Sequence, residues 1–485
     1  MAKRKRTRKR PQPRHQSPRR ASQHDKRKRL QQPNPHRRKT TQSKFSHCGV
    51  MLAAANTLRG VLDRRIAFRL PIIMAGMLLA DGRLTASCWF AAAGVLDDWD
   101  QFYDCLIHVG RHARKLATAV AGLVLRKFDP GPDGRLTIAV DDSPTQRYGR
   151  HVEGAGVHHH PTPGPADGEW LYGHVWVTLA FLTVHPLWGV IALPLWSLLY
   201  VRATDLPKLQ QKRDWKFRTK HQLAVELVQW FVGVVRDLGL RAKIWLVVDG
   251  AYAARPFLKP LLPLCTIVSR LRRDAQLWDL PPGPTGRRGR PRIYGEHAIS
   301  LAKRAGQKRG WQSITYNCRG QEVTREYKTF EATSRLVCGV IRVVLVRYEQ
   351  QWVAYFCTDP TASVRDILET VASRWAIEEQ FHDVKEVWGA GQQQVRNVWS
   401  NIGCWNLIQW MFTLVELSTW DRSAKELIDR RTRPWDNPNR RPSHADRRRT
   451  IAREMLQNEL SSVLSRTRHL TKFRRLVERL LELCL

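Results

Sequence analysis

Acidic residues are in short supply. The 485-residue sequence holds 43 Asp and Glu against 81 Lys and Arg, for a formal net charge of +38. A field this positive argues against a small-metabolite enzyme and for a polyanionic partner, most simply nucleic acid. Cysteine is sparse and unpatterned. Nine are scattered with no C-x-x-C pair, which argues against a disulfide framework or a zinc site and for reduced thiols inside a cell. No apolar core of a signal peptide follows the first residues. Long unbroken apolar runs are missing too. The one candidate, residues 175–201, is interrupted by His185-Pro186, Gly189 and Pro194. It reads as two buried strands joined by a turn at HPLWG, so no membrane partner is expected. The sequence has no internal repeat.

Residues 1–44 read as a disordered basic tail. Through Thr40 they carry 17 Lys and Arg against Asp25 alone, with almost no apolar side chain to build a core. The tail would contact phosphates non-specifically, or serve solubility or localisation. Residues 45–130 carry apolar positions at helical spacing. They read as a DNA-binding helical module, with a helix-turn-helix as one form, or as a helical cap on the next region.

Residues 131–269 alternate strands and a helix. Strands are expected at 136–141 (LTIAVD), 173–184, 190–201, 244–249 (IWLVVD) and 265–268, with an amphipathic helix at 217–238. This is a mixed sheet with crossover helices, an α/β core. Residues 270–356 break the rhythm with a basic Pro/Gly loop and β-rich runs, and read as an inserted β domain. The core resumes over 357–417, and 418–485 reads as a basic helical region.

Three acidic sites carry the chemistry. Asp141-Asp142 ends one core strand and Asp249 another, so their side chains enter one crevice at strand C-termini. The third lies on a helix over 371–385, reached through a turn at Thr358-Asp359-Pro360 and a cap at Ser363 with Asp366 three residues on. At 100° per residue, with Glu378 as zero, Arg374 lies near −40° and Lys385 near −20°, while Glu379 falls about 100° away. One carboxylate and two cations therefore share a face that is otherwise apolar. Clustered carboxylates repel, and divalent cations relieve them. Oxygen-only donors select Mg²⁺ or Mn²⁺. Two such ions clamp the attacking and leaving oxygens of an in-line phosphoryl displacement. His158, His159 and His160 are consecutive, so their side chains diverge and no metal site is expected there. The basic loop holding Arg147 and Arg150, and the arginines Arg270 and Arg272 after the last core strand, are expected to contact DNA.

The residues Arg374, Trp375, Ile377, Glu378, Phe381 and Lys385 resemble the Y-x2-R-x3-E-x6-K signature of bacterial insertion-sequence DDE transposases, with Val371 at the Tyr position. IWLVVDGAY and VDDSPTQRYG resemble that family's two Asp strands. The resemblance implies an RNase H-like mixed sheet with an inserted β-rich domain, flanked by helical N- and C-terminal regions. It implies that Asp141 or Asp142, with Asp249 and Glu378, holds two Mg²⁺ or Mn²⁺ ions. The D-x-S/T form favours Asp141, and a D directly before S favours Asp142. Arg374 and Lys385 would grip phosphates at a transposon end. A homodimer on DNA, acting on element ends and target DNA in the bacterial cytoplasm at the nucleoid, is also implied. A nuclease that cuts without joining and a domesticated DNA-binding protein are the alternatives.

Overall fold

The computed structural model describes residues 49–464, apart from 132–133, 161–167, 284–291, 350 and 431–434. The expected basic tail and the end of the C-terminal region lie outside the described residues. The helices α1 (Gly49–Val61), α2 (Arg64–Ala67), α3 (Arg69–Leu79), α4 (Ala86–Ala92), α5 (Trp99–Arg111) and α6 (Ala113–Lys127) come first. The core follows as β1 (Arg135–Gln146), β2 (Gly156–His159), β3 (Trp170–His185), β4 (Gly189–Tyr200), α7 (Leu206–Gln210), α8 (Lys220–Asp237), β5 (Lys243–Val248), α9 (Arg255–Leu261) and β6 (Thr266–Leu271).

The inserted part holds β7 (Leu277–Trp278), β8 (Ala298–Ile299), α10 (Leu301–Gly306), β9 (Gln312–Cys318), β10 (Gln321–Ser334), β11 (Gly339–Tyr348) and β12 (Gln351–Cys357). The chain closes with α11 (Val364–Ser373), α12 (Trp375–Glu386), α13 (Val398–Thr419), α14 (Ala424–Leu427) and α15 (His444–Leu464).

Among the described residues all strands join one 12-stranded sheet in the order β2-β3-β1-β5-β6-β12-β11-β10-β7-β8, with β4 on β3 and β9 on β10. The run β4-β3-β1 is antiparallel and β1-β5-β6 is parallel. This is the RNase H-like core, a mixed sheet flanked by N- and C-terminal helices. The inserted strands continue that sheet, because β12 pairs antiparallel with β6. Residues 175–201 form β3 and β4 around the His185–Gly189 turn. Among the described residues no helix is long and apolar enough to cross a membrane, and the described cysteines are free.

One strand departs from the sequence reading. The acids Asp141-Asp142 do not end β1, which runs on to Gln146 because its long partner β3 keeps pairing as far as Gly173. The parallel partner β5 does stop there, with Val248 opposite Val140. Asp141 therefore sits level with Asp249, at the edge where the parallel pairing ends.

The N-terminal helices pack as a cap on α13, whose residues are almost all buried. Apolar residues all round a helix mean burial on all sides, and α13 has the sheet on one side and α5 on the other. The α5–α13 crossing brings backbones into contact. A Cβ on Gly110 would lie 1.9 Å from the Trp399 carbonyl oxygen, and one on Gly403 2.1 Å from that of Leu106. Gly110→Ala is expected to lower stability by about 3 kcal/mol, since neither backbone can give way. Urea unfolding followed by tryptophan fluorescence measures it.

Candidate active site

Successive residues of a strand point to opposite faces, and directly paired residues of neighbouring strands share a face. Asp141 pairs with Thr178 and Asp142 with Val177. Trp176, two residues from Thr178, stacks on Trp405 of α13 with ring centroids 5.0 Å apart. Asp141 thus faces the side covered by α12 and α13, and Asp142 faces α8. The contacts agree. Asp142 accepts from Lys220 Nζ at 2.6 Å and from the Tyr252 hydroxyl at 2.8 Å. Lys220 opens α8 within the Thr219–Gln222 capping box, and Tyr252 lies in the turn that follows Asp249.

Asp141 belongs with Glu378. Arg374 Nη1 donates to Asp141 Oδ2 at 3.0 Å and Nη2 to Glu378 Oε1 at 2.6 Å. The shared face of Arg374 and Glu378 is as the 100° spacing requires. The helix expected over 371–385 is nevertheless two helices, α11 and α12, with Arg374 between them. Arg374 N–H bonds Val371 O and Ile377 N–H bonds Arg374 O, both three residues apart. This is a local tightening of the ladder. No Gly or Pro marks it. The tightening falls at the residue whose side chain is tied across to β1. Ser363 caps α11 as expected, accepting from Asp366 N–H at 3.0 Å.

Burial dominates the electrostatics of the site. Burial pushes the Asp141 carboxyl up to about 7; Arg374 and the Asp142 N–H pull it down, and the neighbouring Asp142 and Asp249 carboxylates push it further up. Burial likewise holds the Tyr252 hydroxyl well above its ordinary range, reinforced by Asp142. Burial works against the charge of Arg374, but Asp141 and Glu378 outweigh it and its pKa is raised. Between pH 3.8, the ordinary value, and about 7, the folded protein keeps a proton on Asp141 that the unfolded chain has lost. Stability from this group therefore falls as pH rises through that window. Asp141→Asn is expected to raise the melting temperature more at pH 8 than at pH 5, in chelator, by differential scanning calorimetry.

The donor set suits a hard divalent cation: carboxylate oxygens in surplus, with no Cys or His among them. Among the described residues no three His, Cys, Asp or Glu side chains stand ready to hold a metal ion. The space between Asp141 and Glu378 is taken by the Arg374 guanidinium.

Asp249 is exposed at the end of β5. It lines a cavity of about 950 Å³ with Arg270, Arg319, Arg325, Val371, Arg374 and Trp375. Val371, at the signature's Tyr position, thus faces a cavity that Tyr316, Tyr348 and Tyr355 of the inserted strands also line. Arg319 was not singled out from sequence. It and Gly320 form the two-residue turn between β9 and β10, both with positive φ (56° and 83°), as a tight hairpin requires. Its guanidinium lies 3.9 Å from the Trp375 ring centroid. The signal for it was the R-G pair between two alternating runs; those for Lys220 and Tyr252 were the T-K-H-Q helix start and the D-G-A-Y turn.

The expected DNA-contacting residues divide. Arg150 and Arg270 are exposed. Arg272 is exposed and paired with Asp274 at 3.0 Å. Arg147 does not belong with them. It is buried, donating from Nη1 to the carbonyls of Gly391 and Gln393 at 2.9 and 2.7 Å and from Nε to His174. Those carbonyls need a donor in a dry place, and the arginine supplies it. Lys385 is half-buried. Burial draws its amine down, with Glu386 acting the other way. Among the described residues it makes no hydrogen bond or ion pair. His158 and His159 point to opposite faces of β2, the first buried and the second exposed, and His160 follows the strand.

A family profile described as DDE superfamily endonuclease matches residues 57–329, more than half of the chain. The chain belongs to the DDE superfamily endonucleases. No curated protein matches it. Membership brings nuclease activity on DNA, and members of the superfamily typically use divalent metal ions. The matched span of this endonuclease contains Asp141, Asp142 and Asp249 and ends within β10, before Glu378. The place of Glu378 in the site therefore rests on its geometry with Arg374 and Asp141.

Proposed function

We propose that this endonuclease is an insertion-sequence transposase, which nicks the ends of its element and joins the freed 3′-hydroxyl to target DNA. The observation that carries the reading is the convergence of Asp141 and Glu378 on Arg374, level with Asp249, at the open edge of the parallel strands. Asp141, Asp249 and Glu378 would hold two Mg²⁺ or Mn²⁺ ions. Bound there, the ions would neutralise charge on the phosphate and activate the attacking oxygen.

The chain's own residues do the rest. Asp142 is held apart by Lys220 and Tyr252 and fixes the course of β1 beside the site. Burial raises the Asp141 carboxyl, so a cation would bind there in competition with a proton. Arg270, Arg319 and Arg325 set positive charge around the cavity, where a DNA backbone would be bound. Trp375, 38 % exposed at the rim, offers a face on which an unpaired base can stack. Lys385 and Arg150 extend the phosphate contacts. Joining requires two ends held together, so the working form is taken to be a homodimer on DNA.

An endonuclease that only hydrolyses is the rival reading. A pre-cut DNA end incubated with a target duplex and Mg²⁺ separates the two. Covalently joined product is expected from a transposase. Hydrolysis of cognate DNA with no joined product would leave the nuclease alone.

A further inference from the structure

Arg374 has two environments within reach of one side chain. On one side its guanidinium is forked between Asp141 and Glu378, at 3.0 and 2.6 Å. On the other it lines the cavity of about 950 Å³ that also holds Arg270, Arg319 and Trp375. A guanidinium and a divalent cation neutralise the same carboxylate oxygens, so they exclude one another there. The cavity side is rich in cations, and a phosphate entering it would supply the anion that Arg374 finds in the carboxylates. The backbone at Arg374 joins α11 to α12 through three-residue bonds, a feature that marks hinges in helices. The β9–β10 turn is seated on that point through Arg319 over Trp375.

We propose that Arg374 is an exchangeable counter-ion. In the DNA-free protein it holds the Asp141 and Glu378 carboxylates; when DNA enters the cavity it turns to a backbone phosphate and leaves those carboxylates to divalent cations. Metal ions and DNA then bind cooperatively, and the free protein keeps its site closed to metal by its own arginine. This rests on the metal-binding reading of the site.

Isothermal titration calorimetry of the full chain with Mn²⁺, without DNA and with a random-sequence duplex, tests it. Without DNA, Arg374→Gln is expected to bind Mn²⁺ at least about five-fold more tightly than the wild type, and Arg374→Lys, which keeps the charge, to stay near the wild type. DNA should raise the wild-type Mn²⁺ affinity by a similar factor and leave that of Arg374→Gln nearly unchanged. Equal DNA-free affinities of wild type and Arg374→Gln, or an equal DNA effect on both, would overturn the exchange. If Arg374→Gln does not fold, the wild type decides alone: an Mn²⁺ affinity unmoved by DNA overturns it. Glu378→Gln separates the two levels. With DNA present, Mn²⁺ binding unchanged in Glu378→Gln defeats the metal reading itself, whereas binding lost there, with wild type and Arg374→Gln equal in the absence of DNA, defeats only the exchange.

Discussion

Asp141→Asn, Asp249→Asn and Glu378→Gln are each expected to lower DNA cleavage by about three orders of magnitude or more, and Asp142→Asn by about ten-fold or less. The contrast follows from the pleat of β1. Adjacent strand residues cannot reach the same face, so only one of the two aspartates can join Glu378. Asp141 shares Arg374 with Glu378 at 3.0 and 2.6 Å. Asp142 is on the α8 side, bound to Lys220 and Tyr252. An amide at Asp142 still accepts from the Tyr252 hydroxyl and loses only the exposed part of an ion pair, a small term. An amide at Asp141, Asp249 or Glu378 loses a charged oxygen where positive charge is to be held. Single-turnover cleavage with Mg²⁺, alongside DNA binding by each variant, measures the effect. Loss on Asp142→Asn with retention on Asp141→Asn would assign the site to the other face.

Glu416→Leu is expected to cost about 3–5 kcal/mol of stability, and the double change Glu416→Leu with Arg447→Met to recover a large share of it. Glu416 is 2 % exposed and accepts from Arg447 and from His444 Nδ1, the latter at 2.6 Å. His444 Nε2 in turn accepts from Trp388 Nε1 at 2.8 Å. Burial draws the His444 pKa down to about 3, so its imidazole is neutral and the true ion pair is Glu416 with Arg447. Removing the carboxylate strands a buried guanidinium, already lowered to about 10 by burial. Removing both replaces an ionic contact with an apolar one, which such sites tolerate. The cluster lies behind α12, where Arg441 also reaches Glu379 at 3.1 Å. Weakening it should loosen the helix that carries Glu378. Guanidinium unfolding of both variants gives the energies.

The strands of the core were legible because burial on both faces writes continuous apolar runs such as LTIAV and IWLVV, and such runs need no partner to be recognised. The pairing of Arg374 with Glu378 was legible because four residues on a helix fix neighbours by geometry alone. Arg147 was misread because a basic residue in a Gly-containing loop has the same sequence signature whether it meets DNA or the protein's own carbonyls. Gly391 and Gln393, which decide the matter, are remote in sequence. The length of β1 was misread for a like reason: the strand continues past its acids only because β3 is there to pair with it.

Sequence by itself determined the charge of the chain, the periodicities of its elements, and the three places where an acid follows or interrupts an apolar run. These are local properties, carried by residues within one turn or one strand of each other. Tertiary structure decided the rest. It joined the inserted strands to the core sheet, packed the N-terminal helices against α13, and separated Asp141 from Asp142 by the side of the sheet each faces. It also brought Asp141 of a distant strand to the Arg374–Glu378 pair. Those outcomes depend on which surfaces meet, and the meeting residues lie as far apart in sequence as Asp141 and Glu378.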